Sequence, residues 1–409
     1  MNRPLRFCMI TTFYPPYNFG GDGLFVHQLS NELAIRGHSV DVIHCIDSYR
    51  LLARKNPEAT YADHSNVIIH GLKSPLGFLS PLATHQTGFS FFKSASIRQI
   101  LEKGFDVIHY HNPSLVGGPK ILGYGKGIKL YTMHEYWLVC PTHTMFRFNR
   151  AVCFNPKCFR CILTYKRPPQ LWRYSGFLND FFKHVDAFIA PSRSCKQIHY
   201  RMGMDLPIVH LPHFVVSTNS GLSGFEESIG DLPDSPFFLF VGRLEKLKGL
   251  QTLIPVFRRY LKAQLLIAGT GNYEPLLRQL AGNSNNIRFL GHLSHQELHT
   301  FYRHATALLV PSVCMEIFGL VLLEAFREKT PAVVKNLGSL PELIKESGGG
   351  CIYNTENELI AVMDRLLADP SYRNNLGGRG YEAYKQKWTE DAHLKRYFDL
   401  INDIKINRK

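Results

Sequence analysis

Glu316 and Glu324 stand eight residues apart in the run Pro311-Ser312-Val313-Cys314-Met315-Glu316-Ile317-Phe318-Gly319-Leu320-Val321-Leu322-Leu323-Glu324. The run joins a strand end to a helix expected to start near Gly319. The first turn of a helix has no partners for its amides and carries the positive end of the dipole, so Gly319, Leu320 and Val321 can hold phosphate or sugar oxygens. Glu316, ahead of the helix, can accept hydrogen bonds from sugar hydroxyls, and Glu324, just over a turn inside, can chelate a ribose diol. The plainer reading is one capping acid and one surface acid. Leu322, Leu323 and Phe326 argue against it, because a carboxylate set among them needs a ligand or partner.

Upstream, Val241-Gly242-Arg243-Leu244-Glu245-Lys246-Leu247-Lys248-Gly249 follows an apolar strand. Arg243 offers a planar fork and Lys248 a mobile point charge, and together they can reach one diphosphate. A solvated basic turn is the commoner fate of such residues. In the other half, the loop Phe13-Tyr14-Pro15-Pro16-Tyr17-Asn18-Phe19-Gly20-Gly21-Asp22-Gly23 runs straight into a helix. Gly20 and Gly21 let the backbone approach a ligand, and the helix start favours an anion. The loop is neither GxGxxG nor a P-loop, and packing alone explains it equally well. His134 closes the strand in Tyr131-Thr132-Met133-His134, whereas His109 and His111 alternate on theirs and so share a face. With 19 histidines in the chain, a structural role is the common reading for any one of them.

A separate constellation is Cys140, Cys153, Cys158 and Cys161, spaced Cys-x12-Cys-x4-Cys-x2-Cys within a basic, aromatic insertion over 136–173. Four thiolates suit tetrahedral zinc, and a CxxC pair is its usual nucleus. An iron–sulfur centre and unligated thiols are the alternatives. Arg147, Arg150, Lys157, Arg160, Lys166, Arg167 and Arg173 among Tyr, Phe and Trp residues fit contact with an anionic membrane or an acceptor, or a solvated lid. The other five cysteines are scattered, as reduced thiols would be.

The elements that must position these residues follow a repeated pattern. LRFCMITTF, SVDVIHC, NVIIHGL, DVIHYHN, KLYTMHE, DAFIAPS and IVHLPHF are expected strands, and helices are expected over 24–36 and 94–103. The period fails over about 216–235, rich in Ser, Gly, Asp and Pro, and then resumes. FFLFVG, AQLLIAG, IRFLGHL, TALLVPS, PAVVKN and CIY alternate with helices near 249–260, 273–281, 295–305, 319–329, 340–346 and 356–368. Almost wholly apolar strands imply parallel sheets covered on both faces. The expectation is α/β: two Rossmann-like domains facing across a cleft, over 1–215 and 237–390. A linker would span 216–236, and a C-terminal helix over 391–409 would cross back to the first domain. Ligands in such sheets bind outside the carboxyl ends of the strands.

The 409 residues exceed one ordinary core, and 45% apolar with 20% charged residues excludes disordered and collagen-like classes. The net charge of +14 is unevenly held: residues 1–215 carry 24 Lys/Arg against 12 Asp/Glu, the remainder 23 against 21. A basic first half attracts anionic partners such as phospholipid headgroups or lipid-diphosphates. Nucleic acid is set aside, because no helix-turn-helix, RNP or finger spacing accompanies the charge. No apolar run is long enough to span a bilayer, and the N-terminus enters a strand pattern at once instead of a signal peptide. A cytoplasmic protein, peripheral at the inner membrane face, is expected.

Over nearly its whole length the chain resembles glycosyltransferase family 4, of GT-B fold. The resemblance rests on the Gly20-Gly21 helix opening, RGHSVDV (36–42), DVIHYHNP (106–113), GRLEKLKG (242–249), AGTGNYEPL (268–276), IRFLGHL (287–293) and the Glu-x7-Glu motif from Glu316 to Glu324. It implies a nucleotide-diphospho-sugar, UDP- or GDP-linked, held mainly by the second domain. Arg243 and Lys248 would lie on the diphosphate, Glu324 on the ribose, and Glu316 with the 319–321 amides on the transferred sugar. It further implies retention of anomeric configuration without a divalent cation or other catalytic cofactor, a hydrogen bond from His134 to a donor hydroxyl, and a glycan or lipid-linked acceptor. A sugar-nucleotide epimerase of the same fold and a non-catalytic sugar-nucleotide binding protein are the rival readings.

Overall fold

The computed structural model describes residues 3–53, 56–57, 61–217 and 232–408, so most of the expected 216–236 linker lies outside the described residues. Two compact units result: residues 1–212 with 394–409, and residues 213–393.

The first unit is built on β1 (Arg6–Thr11), β2 (Ser39–Cys45), β3 (Val67–Leu72), β4 (Val107–Asn112) and β5 (Ile128–Thr132). A short hairpin, β6 (Phe146–Arg147) and β7 (Ala151–Val152), then precedes β8 (Ala187–Ala190) and β9 (Ile208–His210). Seven of these form one parallel sheet in the order β3-β2-β1-β4-β5-β8-β9, with Ile10 opposite both Ile43 and Tyr110. The order reverses between β1 and β4, which makes their carboxyl ends the topological switch point. The Gly21–Ile35 helix buries Phe25, Leu29 and Leu33, the side chains whose spacing marks it in the sequence. Gly37, at φ +86°, supplies the left-handed residue that ends the turn after it. Near the C-terminus, Leu394, Tyr397 and Ile401 are buried in the first unit's share of the Glu390–Asn407 helix. There the Tyr397 hydroxyl meets His109 Nδ1 at 2.9 Å, and Arg408 pairs with Asp186.

The second unit repeats the plan with β10 (Phe237–Val241), β11 (Gln264–Ala268), β12 (Ile287–Gly291), β13 (Ala307–Val310), β14 (Ala332–Lys335) and β15 (Gly350–Tyr353). The order β12-β11-β10-β13-β14-β15 is parallel throughout and reverses between β10 and β13. Apolar side chains from alternate residues of these strands feed a separate core on each face, one around Leu239, Leu308 and Phe326, the other around Phe238, Leu309 and Phe257. This is why the strands read as continuous apolar runs. The 18-residue Pro370–Lys387 helix has no apolar period in the sequence, because close backbone approach takes the place of large side chains. A Cβ on Gly377 would fall 2.0 Å from the Lys329 carbonyl oxygen, and one on Gly380 would fall 2.6 Å from the Phe326 ring. Glycine here costs helix propensity but permits contact with the Leu320–Arg327 helix.

Candidate active site

In the second unit, the loops that follow β10 and β13 meet at the switch point. Val313 N–H donates to Leu247 O at 3.0 Å, and buried Gly249, at φ +79°, lies so close that a Cβ would fall 2.0 Å from Pro311 O. This contact brings Lys248 from one loop to Glu316 of the other, Nζ to Oε1 at 2.7 Å. Ser312 Oγ donates to the same carboxylate oxygen at 2.7 Å. Neither charge is fully buried, with 27% of the Lys248 side chain and 15% of Glu316 exposed, so a ligand can reach both. Burial opposes the ammonium, but Glu316 and the nearby Cys314 outweigh it and raise the Lys248 pKa above the ordinary lysine value. Arg243 is exposed and hydrogen-bonds Glu245 at 2.7 Å. Its charge is felt at Lys248, so the two cations share a neighbourhood.

Gly319 caps the Leu320–Arg327 helix, and no side chain caps it. Leu322 N–H already bonds Gly319 O at 2.9 Å, while the helix itself offers Leu320 and Val321 N–H no acceptor. Glu324 has the partner its apolar surroundings require: the buried Tyr302 hydroxyl donates to Oε2 at 2.7 Å. That bond accounts for one oxygen and fixes the direction of the other. The turn after β14 closes against the backbone of Glu316, with Gly338 at φ +65° and Ser339 N–H bonding Glu316 O at 3.3 Å. Thus Lys248 and Glu316 are in direct contact, and Gly319, Leu320, Val321 and Glu324 follow on the same loop and helix.

The first unit's switch point has a different character. Gly20 is the cap residue of the Gly21–Ile35 helix, and Asn18 folds the loop on itself through Nδ2 to Gly20 O at 2.8 Å. His134 lies two residues beyond β5, past its expected place as the strand's last residue, and its Nε2 meets His111 Nδ1 at 2.9 Å. Burial pushes the His134 pKa down to about 4, against the opposing influence of Asp22, so the imidazole is neutral at physiological pH. Asp22 also accepts from Asn112 Nδ2 at 3.4 Å, and Asn112 O accepts from Thr12 Oγ1 at 2.7 Å. His109 and His111 do share a face, their ring centroids 3.9 Å apart.

Sequence reasoning missed Asp22, Ser312 and Tyr302. Asp22 lies in the first turn of the Gly21–Ile35 helix, within the glycine-rich run that the sequence displays. Ser312 is four residues before Glu316, and Tyr302 is a helical residue with no local sign of its partner. The four insertion cysteines line a single small cavity together with Phe146, Arg147 and Thr142.

Comparison with known proteins adds the family. Residues 19–218 match the model described as glycosyltransferase family 4, and residues 225–383 match that of glycosyl transferases group 1. An uncharacterized glycosyltransferase of Methanocaldococcus jannaschii is 27% identical over 98% of both chains. The phosphatidyl-myo-inositol mannosyltransferase of Mycobacterium leprae is 26% identical, covering 94% of this chain and 95% of its own. Among solved structures, the sucrose-phosphate synthase of Thermosynechococcus elongatus superposes with a TM-score of 0.75 at 20% identity, over 98% of this chain and 100% of its own. HepE of Anabaena, solved in complex with UDP-glucose, gives 0.67 at 15% identity over 98% and 100%. These two likenesses speak for the fold, which is GT-B. With its paired Rossmann-like units and family matches on both halves, the chain belongs to glycosyltransferase family 4 and is a glycosyltransferase.

Proposed function

We propose that this enzyme transfers a hexose-type unit from a UDP- or GDP-sugar, with retention of configuration, to a lipid-linked or cell-surface glycan acceptor at the inner membrane face. The observation that carries the donor reading is the contact between Lys248 and Glu316 across the switch point, beside the uncapped Leu320 helix. An ammonium and open helix amides suit a diphosphate, and a neighbouring carboxylate suits sugar hydroxyls. On donor binding, Lys248 exchanges Glu316 for a phosphate oxygen, and Glu316 turns its freed oxygen to the sugar. Glu324, already held by Tyr302 on one side, takes the ribose diol with its other oxygen.

As the glycosyl–phosphate bond loosens to an oxocarbenium-like state, negative charge grows on the leaving diphosphate. Arg243, Lys248 and the helix amides stabilise that charge in the role a divalent cation has elsewhere. The leaving phosphate oxygen takes the acceptor hydroxyl proton as the new glycosidic bond forms. His134, being neutral, serves as a hydrogen-bonding group to substrate and not as a strong base. The UDP-glucose complex of HepE and the acceptor named for the Mycobacterium leprae relative support the two substrate classes. For the membrane, support comes from the basic first half and from exposed Leu76, Phe78, Leu79, Leu82, Phe91 and Phe92. No helix among the described residues is long and apolar enough to cross a membrane.

The test is a thermal-shift screen against UDP-, GDP- and ADP-sugars, followed by transfer of the stabilising sugar to a lipid-linked acceptor fraction, with the product anomer read by NMR. Acceptor-dependent transfer that magnesium and manganese leave unchanged is expected. Interconversion of the sugar nucleotide without acceptor would instead indicate an epimerase.

A further inference from the structure

The insertion after His134 has a plan of its own. Cys140 precedes a hairpin whose strands β6 and β7 carry the chain to Cys153, and Cys153 N–H closes it onto Met145 O at 2.8 Å. Cys158 is the first residue and Cys161 the fourth of the Cys158–Thr164 helix, so they share one side of it. Between the first two cysteines, His143, Met145, Phe148 and Asn149 all adopt left-handed φ values of 49–70°, without a glycine among them. Non-glycine residues hold that conformation only where the surroundings fix them. Within this segment, beside the buried Met145 and Phe146, Phe148 N–H donates to Cys161 Sγ at 3.2 Å and Thr142 Oγ1 lies 3.3 Å from Cys140 Sγ.

We propose that Cys140, Cys153, Cys158 and Cys161 together bind one zinc ion, which fixes the 136–173 insertion. All four line a single small cavity of about 10 Å³. A second, independent observation is the guanidinium of Arg173. Its Nη2 is shielded from solvent and has no hydrogen-bond partner, although Cys140 and Cys158 are among its electrostatic neighbours. A buried cation calls for an anion. Zinc supplies it: Zn²⁺ displaces the four thiol protons, and the resulting tetrathiolate complex carries two net negative charges. Glu135, a carboxylate that also acts on Arg173, is itself bonded to His143 Nδ1 through Oε2 at 2.9 Å. As they stand, no three or more His, Cys, Asp or Glu side chains among the described residues are placed to hold a metal ion, so zinc binding has to draw the four sulfurs inward from the cavity walls. The Phe148 N–H and Thr142 hydroxyl then act as donors to thiolate sulfur, as groups around bound metals commonly do.

The proposal is tested on the untagged full chain purified without chelator. Elemental analysis should give one zinc per chain, and the four thiols should resist a thiol reagent in the native state until the metal is removed. The double variant C158S/C161S should lose the zinc, while Glu316→Gln, distant in role, should keep one equivalent. Because the double variant can fail to fold, cobalt(II) exchanged into the wild-type chain is the second measurement, with the absorption of a tetrahedral tetrathiolate expected. A folded chain with no zinc and four reactive thiols, or one holding iron with inorganic sulfide, overturns the proposal.

Discussion

The two units share one topology but furnish their switch points with opposite chemistry. In the second unit, β10 and β13 deliver charge: Lys248 against Glu316, with Arg243 nearby. In the first, β1, β4 and β5 deliver imidazoles, His111 against a His134 held neutral by burial, with Asn112 and the carboxylate of Asp22. A parallel sheet fixes where a site forms, while the residues just past the strand ends decide what it can bind. Charge belongs where a diphosphate must be held and must leave, and neutral hydrogen-bonding groups suit hydroxyls.

The sharpest way to break this contrast is to remove charge from one side and hydrogen bonding from the other. Lys248→Ala should lower kcat by about 10²–10³, the usual loss for one electrostatic group at a transition state. His134→Ala should cost roughly tenfold in kcat/KM, a hydrogen bond's worth. It should also leave the acid limb of the rate profile unmoved, because the His134 pKa of about 4 keeps it neutral there. Steady-state kinetics across pH checks both, and equal losses would erase the distinction between the units.

The contrast extends to acid stability. His44, His85, His134 and His199, all in the first unit, are held by burial at about 4, below the ordinary 6.5. Between these values the unfolded chain binds more protons than the folded one, so stability is complete above pH 6.5 and is lost as pH falls toward 4. In the second unit Glu328 is shifted down: burial opposes this, but His299, Arg327 and Arg303 outweigh it. Its contribution persists until pH falls below the ordinary carboxylate range. Hydrogen exchange by mass spectrometry at pH 5 should therefore show first-unit peptides opening before those of the second.

Smaller effects sharpen the picture within the second unit. Gly249→Ala should lower the melting temperature, since it places a Cβ 2.0 Å from Pro311 O at φ +79°, a strain of about 1–3 kcal/mol. Tyr302→Phe should raise the donor KM about three- to fivefold with kcat nearly unchanged, because it frees the Glu324 carboxylate to swing without removing it.

The elements that carry the site were largely legible in the sequence. All thirteen strands of the two large sheets fall on apolar runs marked in advance. So do the loops holding Arg243, Lys248, Glu316 and Gly319, because buried parallel strands and their glycine-rich ends leave local signatures. What could not be read is what arises between distant residues. Tyr302 reaches Glu324 from another helix, and Tyr397 meets His109 from 288 positions away. The Pro370–Lys387 helix depends on glycines whose value appears only against Phe326 and Lys329.

The central claim is that Lys248 and the adjoining helix end grip a diphosphate. Calorimetric titration of wild type and Lys248→Ala with UDP, GDP and their parent nucleosides tests it most directly. A diphosphate affinity at least tenfold weaker in the variant, with nucleoside affinity unchanged, is the predicted result; UDP and GDP affinities equal to those of wild type would contradict it.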